Sequence, residues 1–213
     1  PSEDQESSPS LSDTTSSLPP LPEREQIALL QPLDGLDLKD IVVVATLQEA
    51  EHAAATLLAA GVAGFDTESK PTFAKNEVSG GPHVVQFSTR ERAWLFQLHR
   101  IECNPVVAAL IASSELKKVG FGLSTDLTLI RNRLNIEPGA VYDIDNEFRR
   151  RGYRKSVGVK TAVALVFDRR FMKSRKATTS NWANRQLTES QIRYAANDAY
   201  ASIRVYDALF AGA

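Results

Sequence analysis

Val62-Ala63-Gly64-Phe65-Asp66-Thr67-Glu68 is an apolar run that closes on two carboxylates. Side chains alternate faces along a strand, so residues two apart point the same way. Asp66 and Glu68 therefore share one face, where a buried strand leaves the core. Two like charges so placed repel each other unless a proton or a cation sits between them. Hard cations such as Mg²⁺ and Mn²⁺ favour oxygen ligands of this kind. Alone, an Asp-x-Glu pair is weak evidence and more often describes a solvated strand end.

Outward from this run the chain alternates strands and helices. Ile41-Val42-Val43-Val44 is β-branched and predicts a strand. Thr46 can cap an alanine-rich helix reaching about residue 60. Segments 83–89 and 92–98 read as strands joined by a polar turn at Arg90-Glu91, which makes a hairpin. A helix over 105–113 leads to a strand at 117–121, then a helix at 124–134, a short strand at 140–144, and helices near 158–167 and 188–211. The alternation predicts a layered α/β domain, and the hairpin makes its central sheet mixed, with helices flanking it. Thr188-Glu189-Ser190-Gln191 matches a capping box. It places Tyr194 and Asp198 on one helix, four residues apart and on one face.

The 213 residues suffice for one sizeable domain plus a tail. Residues 1–22 are rich in Ser, Pro and acids, bury too little apolar surface to offset ordering, and predict a disordered tail. Residues 23–40 read as a tether that packs partly on the domain, and 41–213 as the folded domain. No stretch approaches the ~20 consecutive apolar residues of a membrane span, and the N-terminus lacks the pattern of a signal peptide. Cys103 is the single cysteine, so no internal disulfide forms. An intracellular, cytoplasmic protein is the expectation.

The net charge of −1 hides an asymmetry. Residues 1–40 hold nine acidic and two basic residues, whereas 41–213 hold 17 acidic and 23 basic. From Arg149 to Arg185 there are twelve Lys/Arg against the one acid Asp168. A basic run is often only a solvated surface, but an imbalance this steep favours a polyanion, because neutralising phosphates releases condensed counterions. Candidate phosphate contacts are Lys70, Arg169, Arg170, Lys173, Arg175 and Lys176.

Two further acids stand in suggestive places. Asp126 follows the turn Gly120-Phe121-Gly122 in the first turn of a helix, where an Asp commonly does no more than complement the helix dipole. Asp198 lies one turn beyond Tyr194. Together with Asp66 and Glu68 they form four carboxylates suited to two divalent cations flanking an attack on phosphorus. Tyr194 supplies a hydroxyl to orient water, and as a phenol of ordinary pKa about 10 it is a poor free base at neutral pH.

FDTES at 65–69, VGFGLSTDL at 119–127 and YAANDAY at 194–200 resemble the three motifs of the DEDD 3′–5′ exonuclease superfamily. The Tyr-x-x-x-Asp form resembles the DEDDy subgroup, to which RNase D and the Werner syndrome exonuclease domain belong. The resemblance runs from about Ile41 to Phe210. It implies a ribonuclease H-like fold, two divalent ions (Mg²⁺ or Mn²⁺), a nucleic-acid substrate (DNA or RNA) with a free 3′ end, and release of nucleoside 5′-monophosphates. Carried over by position, Asp66 would bridge both metals. Glu68 and Asp198 would hold the metal that activates water, Tyr194 and Glu68 would orient that water, and Asp126 would support the second metal through water. The chain departs from many relatives at Gly122, where they carry Asn, and at Ser69-Lys70-Pro71, where they carry a bulky apolar wedge. It also ends soon after the third motif, so RNase D's accessory helical domain is not expected.

Competing readings are weaker. A dinucleotide fingerprint at Gly120-Phe121-Gly122 fails because Thr125 stands in place of the third glycine. His52, His83 and His99 lack metal-ligand spacing, and Cys103 has no basic neighbour to activate it. A histidine-type exonuclease is disfavoured by Tyr194. Trp182 and Phe171 flank the basic loop, where they either stack on bases or pack beneath it. A non-catalytic nucleic-acid-binding module on the same fold is the remaining alternative, disfavoured because all four carboxylates are present.

Overall fold

Val62–Glu68 forms β2, the strand around which the rest of the sheet is arranged. The structure, a computed structural model, describes residues 18–72, 80–172 and 174–211. Residues 1–17 of the expected tail lie outside the described residues, as do Lys173 and the side chain of Arg175. Before β2 come α1 (Arg24–Leu29), β1 (Ile41–Val44) and α2 (Leu47–Ala60). The hairpin is β3 (Val84–Ser88) with β4 (Ala93–Gln97), and α3 (Asn104–Ala112) leads to β5 (Lys117–Gly120). Then follow α4 (Ser124–Leu134), β6 (Val141–Asp143), α5 (Ile144–Arg150), α6 (Val159–Phe167), α7 (Arg175–Thr178) and α8 (Glu189–Phe210).

The six strands lie in the order β1-β4-β3-β2-β5-β6. β2 pairs antiparallel with β3 and parallel with β5, while β1 adds to β4 in parallel, so the sheet is mixed. Alternation sorts its residues into two cores. Ala63, Phe65, Val85, Phe87 and Phe96 pack on one side against Ala53 and Leu57 of α2 and Val107 and Ile111 of α3. Val84, Leu95 and Val119 face the other way, onto Ala195, Ala196 and Ile203 of α8 and Val163 of α6. Phe87 meets Phe65 at 5.3 Å and Phe96 edge-on at 5.9 Å between ring centroids, a geometry aromatic pairs favour.

Both expected caps form. Thr46 Oγ1 accepts from the Glu49 amide while Glu49 reaches back, and Thr188 and Gln191 do the same for α8. The predicted strand at 140–144 is shorter, because Asp143 ends β6 and accepts from the Asp145 amide as the N-cap of α5. Neither α5 nor the four-residue α7 was expected from the pattern.

The segment before β1 is docked. The Leu33 amide donates to the Arg170 carbonyl at 2.9 Å, and the Arg170 amide donates to the Gln31 carbonyl at 2.8 Å. The Leu36 amide donates to Asn197 Oδ1 of α8 at 2.8 Å. A Cβ at Gly35 would stand 2.4 Å from that same oxygen, so any larger residue there would displace the Asn197 side chain.

Candidate active site

β2 and β5 run parallel, so their C-terminal ends open on the same edge of the sheet. Asp66 and Glu68 leave β2 at that edge, on the face covered by α8. The helix comes down close because its own residues there are alanines and because position 64 is glycine. A Cβ on Gly64 would lie 1.8 Å from the Ala199 carbonyl oxygen. This approach delivers the buried Asp198 to the strand end. One carboxylate oxygen from each of Asp66, Glu68 and Asp198 lies within 4.8 Å of the others. Three hard oxygen donors from elements about 130 residues apart thus meet at one point, a donor set suited to a divalent cation.

Asp126 reaches the same edge from the opposite face. The Thr67 hydroxyl, pointing away from Asp66 and Glu68, donates to its carboxylate. The turn that positions Asp126 is itself held by Asp143, which accepts from the amides of Gly122 and Leu123, each at 3.0 Å. Gly122 has φ +63°, a left-handed conformation that glycine and asparagine both adopt, and a Cβ there would meet no atom within 4 Å, so the backbone accommodates either residue at this departure from the motif.

Tyr194 is buried one turn before Asp198 on α8. Its ring packs against Trp182 with centroids 5.8 Å apart, and its hydroxyl lies 3.1 Å from Thr178 Oγ1 of α7. A groove of about 490 Å³ opens beside it, lined by Met172, Ser174, Glu189, Ser190, Arg193 and Asn197.

A family model described as 3′–5′ exonuclease matches residues 41–211. The chain belongs to the 3′–5′ exonuclease family. Among relatives of this exonuclease domain, the exonuclease mut-7 homolog of Aedes aegypti is 29% identical over 170 residues, covering 68% of this chain and 23% of that protein. The bifunctional 3′–5′ exonuclease/ATP-dependent helicase WRN of Mus musculus is 26% identical over 152 residues, covering 70% of this chain and 11% of its own length. The chain thus spans less than a quarter of either relative. The Aedes aegypti Nibbler EXO domain superposes with a TM-score of 0.67 at 21% identity, over 81% of this chain and 88% of that one. Trypanosoma brucei RNase D in complex with RNA U12 gives a TM-score of 0.70 at 20% identity, over 87% and 64%. These likenesses establish the ribonuclease H-like fold.

The basic residues of the exonuclease domain divide. Arg169 and Lys176 are exposed, and Lys70 is exposed just beyond Glu68. Arg170, expected as a phosphate contact, donates from its guanidinium to the Ala28 carbonyl at 2.8 Å, and its Nε is buried. It thereby clamps the tether. Trp182 and Phe171 are buried, which decides for packing over base stacking. His83 is half-buried and accepts from the Lys70 amide at 3.1 Å through Nδ1. Burial, then the nearby Arg133 and Lys70 charges, lower its pKa and keep it an acceptor. Cys103 is buried, and burial raises its thiol pKa, consistent with an inert side chain.

Three residues beside the cluster escaped notice in the sequence. Thr67 stands between the two carboxylates, and Asp143 falls within the strand predicted at 140–144. Gln86 was one polar residue in an apolar strand, which was the available signal. It is the cross-strand partner of Asp66 and fully buried, with no hydrogen bond to its carboxamide among the described residues.

Proposed function

We propose that the protein is a metal-dependent 3′–5′ exonuclease of the DEDDy type, which hydrolyses phosphodiester bonds from a nucleic-acid 3′ end and releases nucleoside 5′-monophosphates. The observation that carries this is the meeting of Asp66, Glu68 and Asp198 at one strand end. Like charges so close are stable together only with compensation, and cations supply it. Asp66, Glu68 and Asp198 would hold divalent ions, Mg²⁺ or Mn²⁺, with Asp126 at the margin. Two such ions, when bound, would supply an activated water and stabilise the entering and leaving oxygens.

The chain's own groups do the positioning. The carboxylates orient through backbones fixed by β2 and α8, and Thr67 holds Asp126 against the strand. Tyr194, one turn from Asp198, offers a hydroxyl to a water at the reacting phosphorus. Exposed Lys70, Arg169 and Lys176 would meet the phosphate backbone. That a structural neighbour was solved with RNA supports a nucleic-acid substrate.

The test is release of mononucleotides from a 5′-labelled oligonucleotide, as matched DNA and RNA strands, in Mg²⁺ and in Mn²⁺. Cation-dependent shortening from the 3′ end is expected, and Asp66→Ala or Asp198→Ala should abolish it with the fold retained. Binding without shortening would favour a non-catalytic module on this fold.

A further inference from the structure

Gln86 sits in the middle of β3, fully buried, and neither Oε1 nor Nε2 of its carboxamide has a hydrogen-bond partner among the described residues. Burying an amide without a partner costs free energy, and nearly all such groups in folded proteins are paired. The position has a specific neighbour. Cross-strand partners share a face, and the row through Gln86 runs from Asp66 of β2 to Leu95 of β4. Along β3, the period of two adds Val84 and Ser88 to that face, which is the one α8 covers. Val84 and Leu95 are apolar, and the Ser88 hydroxyl donates to the Thr89 carbonyl at 2.8 Å. Of these four neighbours only Asp66 is ionisable, and its carboxylate offers several lone pairs to a donor.

A carboxamide beside a metal ligand suits a task that other side chains do not. A lysine there would compete with a cation for Asp66, another acid would add repulsion, and an apolar side chain would leave the carboxylate undirected. An amide N–H donates to a carboxylate without neutralising it. Hydrogen-bond partners of this kind orient metal ligands and tune their affinity. The Cβ atoms of cross-strand partners stand about 4.5–5.5 Å apart, which a glutamine side chain spans with no movement of the backbone. The geometry points to Gln86 as a positioning residue that donates through Nε2 to the Asp66 carboxylate when Asp66 holds a divalent cation. The inference rests on the metal-dependent reading above and adds to it a residue outside the acidic motifs.

The experiment is Mn²⁺ binding to the full chain, read as loss of the free-ion EPR signal, together with thermal melts in EDTA. Gln86→Met keeps the length of the side chain and removes its polar atoms. Gln97→Met is the contrast: Gln97 is also buried, on the same face of β4, but its Nε2 donates to the Asn184 carbonyl at 2.9 Å. Gln86→Met should melt no lower than the wild type in EDTA, since it removes an unpaired buried amide rather than a bond. Its Kd for Mn²⁺ should rise about 10- to 100-fold. Gln97→Met should do the reverse, melting lower in EDTA with a Kd near that of the wild type. Wild-type Mn²⁺ affinity in Gln86→Met, or an equal loss of affinity in Gln97→Met, would overturn the positioning role and leave the metal-dependent reading standing. A lowered melt of Gln86→Met in EDTA would mean a structural amide and overturn it too. A wild-type chain that binds no Mn²⁺ would overturn both.

Discussion

Gly64 of β2 lies so close beneath Ala199 of α8 that a Cβ would stand 1.8 Å from the Ala199 carbonyl oxygen. Helix backbone cannot yield as a flexible side chain does. Gly64→Ala must therefore lift α8 from β2, and overpacking of this kind costs about 1–3 kcal/mol or more. The same lift draws Asp198 away from Asp66 and Glu68. We expect a lowered melting temperature, and nuclease activity abolished well below that temperature. Calorimetry and an activity assay at a temperature where the variant is folded check this; full activity there would show that α8 does not set the cluster.

The three carboxylates also predict a cation-linked stability. A ligand that binds only the folded state adds RT ln(1 + [L]/Kd), about 2.7 kcal/mol at a hundredfold excess over Kd. Mn²⁺ or Mg²⁺ should raise the melting temperature of the wild type and EDTA should reverse it. Asp66→Asn removes one of the like charges, so its melting temperature in EDTA should be no lower than that of the wild type, and its response to Mn²⁺ should shrink. A wild-type melting curve indifferent to cations would count against the donor set.

Period and capping carried much of this arrangement into the sequence. The alternation of Asp66 and Glu68, the boxes at Thr46 and Thr188, and the four-residue spacing of Tyr194 and Asp198 are local patterns, and the structure realises each. Residues whose partners are distant were not legible. Nothing near Arg170 in the chain announces that Ala28 supplies its acceptor, so its charge read as one more phosphate contact. Asp143 serves at once as strand end, N-cap and acceptor for the Gly122 turn, and a strand pattern shows only the first role. α7, at four residues, is too short for any period.

The division among the basic residues predicts two separable phenotypes. Arg170→Ala removes a charged hydrogen bond, worth about 1.5–3 kcal/mol, and should release the segment around α1. Limited proteolysis should then cut residues 24–33 faster, while the salt dependence of oligonucleotide binding stays as in the wild type. Arg169→Ala with Lys176→Ala should leave proteolysis unchanged and flatten the salt slope by roughly one unit for each phosphate no longer neutralised. The reverse pattern would put Arg170 on the substrate.

Lys118 gives a prediction in pH. It is fully buried in β5, and Nζ donates to the carbonyls of Ser113 at 2.6 Å and Leu110 at 3.2 Å, closing the C-terminal end of α3. Burial nevertheless lowers its pKa from the ordinary 10.5 to about 8. Below about pH 8 both the folded and unfolded chains carry the proton, and the folded state bears the full cost of a buried charge. Between about 8 and 10.5 the unfolded chain still holds the proton and the folded chain has released it. Where the unfolded state binds more protons, stability rises with pH. The wild type should therefore gain stability relative to Lys118→Met as pH rises through that window, read as urea midpoints at about pH 7.5 and about pH 10. A difference that stays constant, or narrows in the opposite sense, would mean that the two carbonyls hold the ammonium charged despite its burial.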